Sequence, residues 1–188
     1  LFTKLRELAP AVKRIHVIYG ADDNDWLIEL ARGDAAELGY ELLPLHKESI
    51  REGASAYREL LKQIESPQDA IWLLQASPFL DENSVLQMVL RAAWDRNLVV
   101  FSSNPSHVPK GALFALFPDN NAMGRHLAQQ LRKPASASAR LLPLEQLDTA
   151  INIRTAASPI SGIGWRMVVN GGRKVAANGM SSNPTSAI

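Results

Sequence analysis

The sequence predicts an α/β protein built on a parallel sheet with helices on both faces. Three observations carry this. Short, nearly continuous apolar runs recur as "RIHVIY" (14–19), "AIWLL" (70–74) and "LVVF" (98–101), the pattern of strands buried on both sides. Between them stand segments whose apolar residues repeat at helical spacing. The resulting β-α-β-α-β-α-β order favours parallel strands joined by right-handed crossovers.

Taken in order, Phe2, Leu5 and Leu8 give a short helix that stops before Pro10. After the first strand, Leu27, Leu30, Ala31, Ala35 and Leu38 line one face of a helix ending at Gly39, a usual exit residue. The strand "YELLPL" (40–45) follows, and Pro44 places it near a sheet edge. Ser49 and Glu52 have the spacing of a capping box. They open a helix with Ile50, Ala54, Tyr57, Leu61 and Ile64 on its inner face, closed before Pro67. A third helix is expected from about Asp81, turning Val85, Met88, Val89, Ala92 and Ala93 inward. Beyond residue 108 come the strand "GALFALF" (111–117), a helix over 121–131, the small-residue linker "KPASASAR" (133–140) and a short strand in "DTAINIRTA" (148–156).

The chain has 188 residues and 46% hydrophobic content, enough for a core. Twenty basic and nineteen acidic side chains nearly cancel. Nucleic acid and membrane surface are therefore not the expected partners, and a small-molecule solute is. With no cysteine, thiolate metal sites and disulfides are excluded. No apolar run reaches the roughly 18 residues of a membrane span, so no membrane insertion is expected. Residues 158–188 hold no acid, three basic residues and five of the eleven glycines; that break in composition reads as a disordered tail. The chain begins at Leu1 with no methionine or basic leader, and the expectation is a fragment, with any export signal upstream.

In an open α/β sheet, ligands bind beyond the carboxyl ends of the strands. The segments there are "YGADDND" (19–25), "QASPFLDEN" (75–83) and "SSNPSHV" (102–108), all polar. Asp22, Asp23 and Asp25 admit two readings: an acidic Mg²⁺ site of the kind used by receiver domains or small phosphatases, or helix capping. No carboxylate follows the third strand, where Gln75-Ala76-Ser77 stands. Tyr19 reads either as a stacking surface or as ordinary strand-end packing. Trp26, Trp72 and Trp94 are expected in the core. The four histidines lack paired zinc-ligand spacing, and the serines lack a nucleophile elbow. No metal, cofactor or catalytic residue is assigned. Ser77, Ser102, Ser103 and Ser106 serve as orienting hydroxyls or as plain turn residues.

The succession "VKRIHVIYGADDND", "DAIWLLQASPFLDENSV", "LVVFSSNPSHVPKGALFALFPDNNAMGRHLAQQL" and "LDTAINIRTA" resembles the substrate-binding protein family of bacterial ABC transporters, with a type I periplasmic-binding fold. The Ser-Ser-Asn, Val-x-x-Gly-Ala-Leu and Pro-Asp-x-x-Ala-Met-Gly elements carry most of it, and it covers about residues 1–157. It implies two α/β lobes closing over a solute without changing it chemically. Residues 1–108 would be the second lobe, 109–134 a strand and helix returning to the first, and 135–157 a linker and final strand of the second. The implied solute contacts are Tyr19, Gly20, Asn24, Gln75, Ser77, Ser102, Ser103, Asn104 and Asp119. Where relatives carry Thr-Asp-Asn and Gly-Ser-Asp-Glu, this chain has Gln75-Ala76-Ser77-Pro78 and Ser102-Ser103-Asn104-Pro105. A ligand's ammonium group would have fewer partners here.

The resemblance also implies an ABC permease as partner, or a sensor kinase if the module signals. It implies a periplasmic protein or an exported lipoprotein. As half a cleft, the chain is expected to bind weakly alone, and strand 111–117 to expose apolar surface that favours self-association.

Overall fold

The computed structural model describes residues 1–75, 77–130 and 146–156, and the linker 133–140 and the 158–188 segment lie outside the described residues. Strand β1 (Arg14–Tyr19) lies inside the sheet, with Ile15, Val17 and Ile18 buried. It pairs in parallel with β2 (Glu41–His46) on one side and β3 (Asp69–Leu73) on the other. Strands β4 (Val99–Ser102) and β5 (Phe114–Pro118) continue the parallel set, and β6 (Leu147–Ile151) joins β5 antiparallel. The six-stranded order is β2-β1-β3-β4-β5-β6.

Helices α1 (Phe2–Leu8) and α2 (Ala21–Glu37) contribute to one core layer, α3 (Ile50–Gln63) and α4 (Val85–Arg96) to the other. Alternate strand residues divide accordingly: Ala70 and Trp72 of β3 join the first layer, Ile71 and Leu73 the second. Within the first layer, Trp72 stacks on Phe101 at 6.4 Å and Phe101 on Phe114 at 5.4 Å, while Phe2 meets Trp72 edge-on at 5.4 Å. That aromatic row ties β3, β4 and β5 together.

The amino ends of β1 and β3 are held by charge. Asp69, almost fully buried, is the register partner of Arg14. Its carboxylate accepts Arg14 Nε at 2.6 Å and Nη2 at 2.9 Å, the Glu65 backbone N–H at 2.8 Å, and lies 2.9 Å from His16 Nε2. Burial works to raise its pKa, but the hydrogen bonds from Arg14 and His16 outweigh it and hold the carboxyl well below the usual range.

Helix α3 opens as expected, with Ser49 Oγ accepting the Glu52 N–H and the Glu52 carboxylate reaching back to the Glu48 N–H. At its far end, Arg96 donates to the carbonyls of Leu61 and Ile64. At the two ends of β2, the Glu41 N–H bonds to the Lys13 carbonyl just before β1 and the Lys47 N–H to the Tyr19 carbonyl, so by strand alternation Pro44 falls among the residues facing the open side.

Several expectations need correction. Strand β5 lies inside this sheet, between β4 and β6, with Ala112, Leu113, Phe114 and Ala115 buried. The apolar surface expected there is covered, which removes that basis for self-association. Helix α4 starts at Val85, because Asp81 and Ser84 form a side-chain-bonded turn first (2.6 Å). Residues 153–156 are a helical turn, α6 (Ile153–Ala156), capped by the Asn152 side chain, which accepts the Arg154 and Thr155 N–H groups. On α2 the inner face is Asn24, Ile28, Ala31 and Ala35; Leu30 and Trp26 are exposed. Ile50 and Trp94 are likewise exposed, and of the three tryptophans assigned to the core only Trp72 is there. Helix α5 (Asn120–Gln130) has no buried residue among those described.

Two measurements check this account. Because Asp69 titrates lower folded than unfolded, its contribution is complete above about pH 4 and is lost as pH falls further. Thermal melts from pH 7 to pH 2 should show that loss, and Asp69→Asn should be less stable at pH 7 with a flatter acid limb. The Tyr57 hydroxyl is buried without a hydrogen-bond partner. Tyr57→Phe should therefore raise the unfolding free energy by about 1 kcal/mol in urea titration; a loss of stability would show that the hydroxyl is paired.

Candidate solute-binding edge

The strand order reverses at β1: the chain steps outward to β2, then returns to β3 on the other side. Helices leaving neighbouring strand ends part toward opposite faces there and open a crevice beyond Tyr19 and Leu73. Tyr19, Gly20, Gln75, Ser77, Ser102, Ser103, Asn104 and Asp119 all follow or end parallel strands β1, β3, β4 and β5, so topology brings them to one edge of the sheet. Asn24 lies in the first part of α2 and is buried, at 7% exposure.

The Tyr19 ring is half-buried and lies 5.5 Å from the ring of His46, at the end of β2. His46, which sequence reasoning left out, thus extends the aromatic surface of this edge; its position at the end of a strand next to β1 was the available signal. Gln75 is exposed and Ser77 half-buried. Ser77 closes a turn, its hydroxyl oxygen accepting the Phe79 N–H at 3.4 Å and its carbonyl the Leu80 N–H at 3.3 Å.

Ser102 departs from its expected place. It is fully buried, its Oγ accepting the Asn104 N–H at 2.9 Å and lying 3.1 Å from the Leu73 carbonyl and 2.8 Å from His107 Nδ1. It holds the loop after β4 instead of facing solvent. Burial, with Lys110 adding to it, pushes the His107 imidazole below its ordinary pKa, which favours the neutral ring beside Ser102. Ser103 is half-buried and its hydroxyl accepts the Trp72 indole N–H at 2.9 Å, which fixes its direction and leaves its own hydrogen to donate. Asn104 caps the short 3-10 turn Pro105–His107 through the Ser106 N–H. Asp119 caps α5, with Oδ1 accepting from Asn121 and Ala122. Both are helix caps first.

Two grooves lie elsewhere. One, about 930 Å³, runs between α4 and residues 109–111 and 152–155, with Trp94 and Arg91 on its wall. The other, about 990 Å³, lies between α3 and the β2 edge, over Arg14, His16 and Asp69. Among the described residues, no group of three His, Asp or Glu side chains is arranged to hold a metal ion. No helix there is long and apolar enough to cross a membrane.

No protein-family model matches this chain, and neither does any curated protein. Solved structures do. A substrate-binding protein with adhesive properties from Clostridium difficile, in its ligand-free open form, matches with a TM-score of 0.65 and 16% identity over 94% of this chain and 59% of its own. A conserved domain protein from Vibrio cholerae matches at 0.60 and 24% identity, covering 88% of this chain and 55% of that one. An ABC domain from Streptococcus pneumonia in complex with L-Trp matches at 0.56 and 18% identity, covering 82% and 52%. The chain therefore has the α/β fold of periplasmic-binding-type proteins. It spans between about half and three-fifths of the length of these structures.

Ser102→Ala would leave the half-buried Asn104 N–H without its acceptor and should cost about 1 kcal/mol or more in urea unfolding. A change of a few tenths would show that the hydroxyl does not hold this loop.

Proposed function

We propose that this chain supplies one wall of a cleft that binds a small solute without altering it, as part of the substrate-binding component of an ABC transporter. The observation that carries the proposal is the reversal of strand order at β1, with half-buried hydroxyls, an amide and the Tyr19–His46 ring pair standing at its open end. Polar groups that hydrogen-bond beside an aromatic face suit an amphipathic solute with a flat apolar part. The Streptococcus domain, crystallised with L-Trp, has the same fold and agrees with such a solute class.

In this reading Tyr19 stacks on the solute, while Gln75, Ser77 and Ser103 orient its polar groups. Gly20, Asn24 and Asn104 shape the backbone between them, and Ser102 supports the loop from beneath. Asp119 does its work by starting α5. In this reading α5, with Leu127 exposed, is the element that would meet the opposing lobe, and β5 belongs to this sheet. Binding would select the closed arrangement of two lobes, since a solute touching both walls favours the state in which they approach. The protein would act outside the cytoplasmic membrane and hand its solute to a permease.

The test is isothermal calorimetry of a protein carrying both lobes, titrated with amino acids, nucleosides and short peptides. One of these should bind, and Tyr19→Ala with Ser103→Ala should weaken it by about 30- to 900-fold, since two good contacts are each worth roughly 1–2 kcal/mol. Unchanged affinity would move the site elsewhere. Residues 1–188 alone should bind the same solute far more weakly, because one wall cannot bury the roughly 70–90% of ligand surface that pockets enclose.

A further inference from the structure

Phe79 sits in the loop between β3 and α4, four residues after Gln75, and is 2% exposed. Its ring is seated where two other segments lack a side chain. A Cβ on Gly53 would stand 2.3 Å from Phe79 Cγ, 2.6 Å from Cδ1 and 2.7 Å from Cβ. Those atoms are the base of the ring, which cannot swing aside without moving the loop backbone. At the other end, a Cβ on Gly20 would lie 3.4 Å from Phe79 Cζ. One phenyl group therefore touches the loop after β1, the start of α3 after β2, and its own loop after β3. Those are the segments that meet around the crevice.

The same loop is tied on both sides of the ring. Ser77 turns the chain into Phe79, Leu80 is buried beside it, and Glu82 bridges to Lys110 at 2.7 Å.

We propose that Phe79 is a positioning residue. By filling the notch left by Gly53 and resting on Gly20, it sets the height of the β3–α4 loop, and so of Gln75 and Ser77, relative to Tyr19. This rests on the solute-binding reading above, in which Gln75 and Ser77 face the solute from that loop. Gly53 is then required by close approach, since its helix would otherwise favour alanine. Ordinary core filling would make Phe79 one contributor among many to the layer containing Ile18, Tyr57 and Leu86; positioning makes its effect local and specific to Gly53.

The experiment is amide hydrogen exchange on the full chain and three variants: Gly53→Ala, Phe79→Leu and the two combined. Gly53→Ala should speed exchange across residues 77–84 by about tenfold or more while leaving 70–73 and 99–102 close to wild type, as expected for local opening. Phe79→Leu, which keeps an apolar side chain and should fold even if Gly53→Ala does not, should speed the same segment to a lesser degree. The double variant should exchange at least as fast as Gly53→Ala, because leucine keeps the Cβ, Cγ and a Cδ atom that the new methyl group would meet. Uniform acceleration of all strands, or an unchanged 77–84 segment in Phe79→Leu, would overturn the proposal. Failure of the solute-binding reading would appear separately: wild-type protein with both lobes would bind nothing in calorimetry while the exchange pattern persisted.

Discussion

The pairing of β1 with β3 is the constraint on which the remaining architecture depends. Both strands are sandwiched between two helical layers, so they must be apolar on each face, and their amino ends must still carry polar groups into the sheet. Asp69 solves that problem in one residue. It pairs with Arg14 across the ladder, takes the His16 ring as a further partner, and accepts the Glu65 N–H where the chain enters β3. A buried carboxylate is costly unless it is paired and fully bonded, and here its geometry also ties the register to charge. A slip of one residue would separate Arg14 from Asp69 and turn every side chain of β3 to the wrong layer.

From that fixed pair the site follows by topology. Strand order must reverse somewhere in a doubly covered sheet, and here it reverses at the clamped strand, so the crevice opens at the end opposite Asp69. The stiff, ion-paired end and the open, hydroxyl-rich end are two ends of the same strands. Side chains at the open end are largely prearranged: Ser103 by the Trp72 indole, Ser77 by its own turn, Asn104 by the 3-10 turn it caps. Prearranged donors spend less conformational freedom when a ligand arrives.

Much of this was legible in the residues. The buried strands, the Ser49 cap and the edge position of β2 follow from apolar continuity, capping spacing and one proline. The fold neighbours agree with the α/β reading. The fate of β5 was not legible, since an apolar segment after a long loop has the same composition whether it pairs with β4 or with a distant sheet. Partner choice is a long-range property. Trp26 and Trp94 misled for a related reason: hydrophobicity says that a side chain gains from burial, not that its helix turns that way, and α2 turns Asn24, Ile28, Ala31 and Ala35 inward instead. Ser102 looks in sequence like its neighbour Ser103, yet the pleat turns one inward to His107 and gives the other to Trp72. Phe79 was unreadable without coordinates, because its meaning lies in the missing side chain of Gly53, twenty-six positions away.

Pro44 gives the outer rim of the sheet a property of its own. A parallel edge strand offers a row of open donors and acceptors on which another polypeptide can crystallise, one rung at a time. In β2 that row has a missing rung at its middle, because the proline ring replaces a donor on the outward side. An intruding strand would find one carbonyl unmatched halfway along and little reason to continue. The rim is capped chemically without a covering helix, and Leu43 and Leu45 can stay at the boundary of the adjoining groove without inviting the sheet to grow.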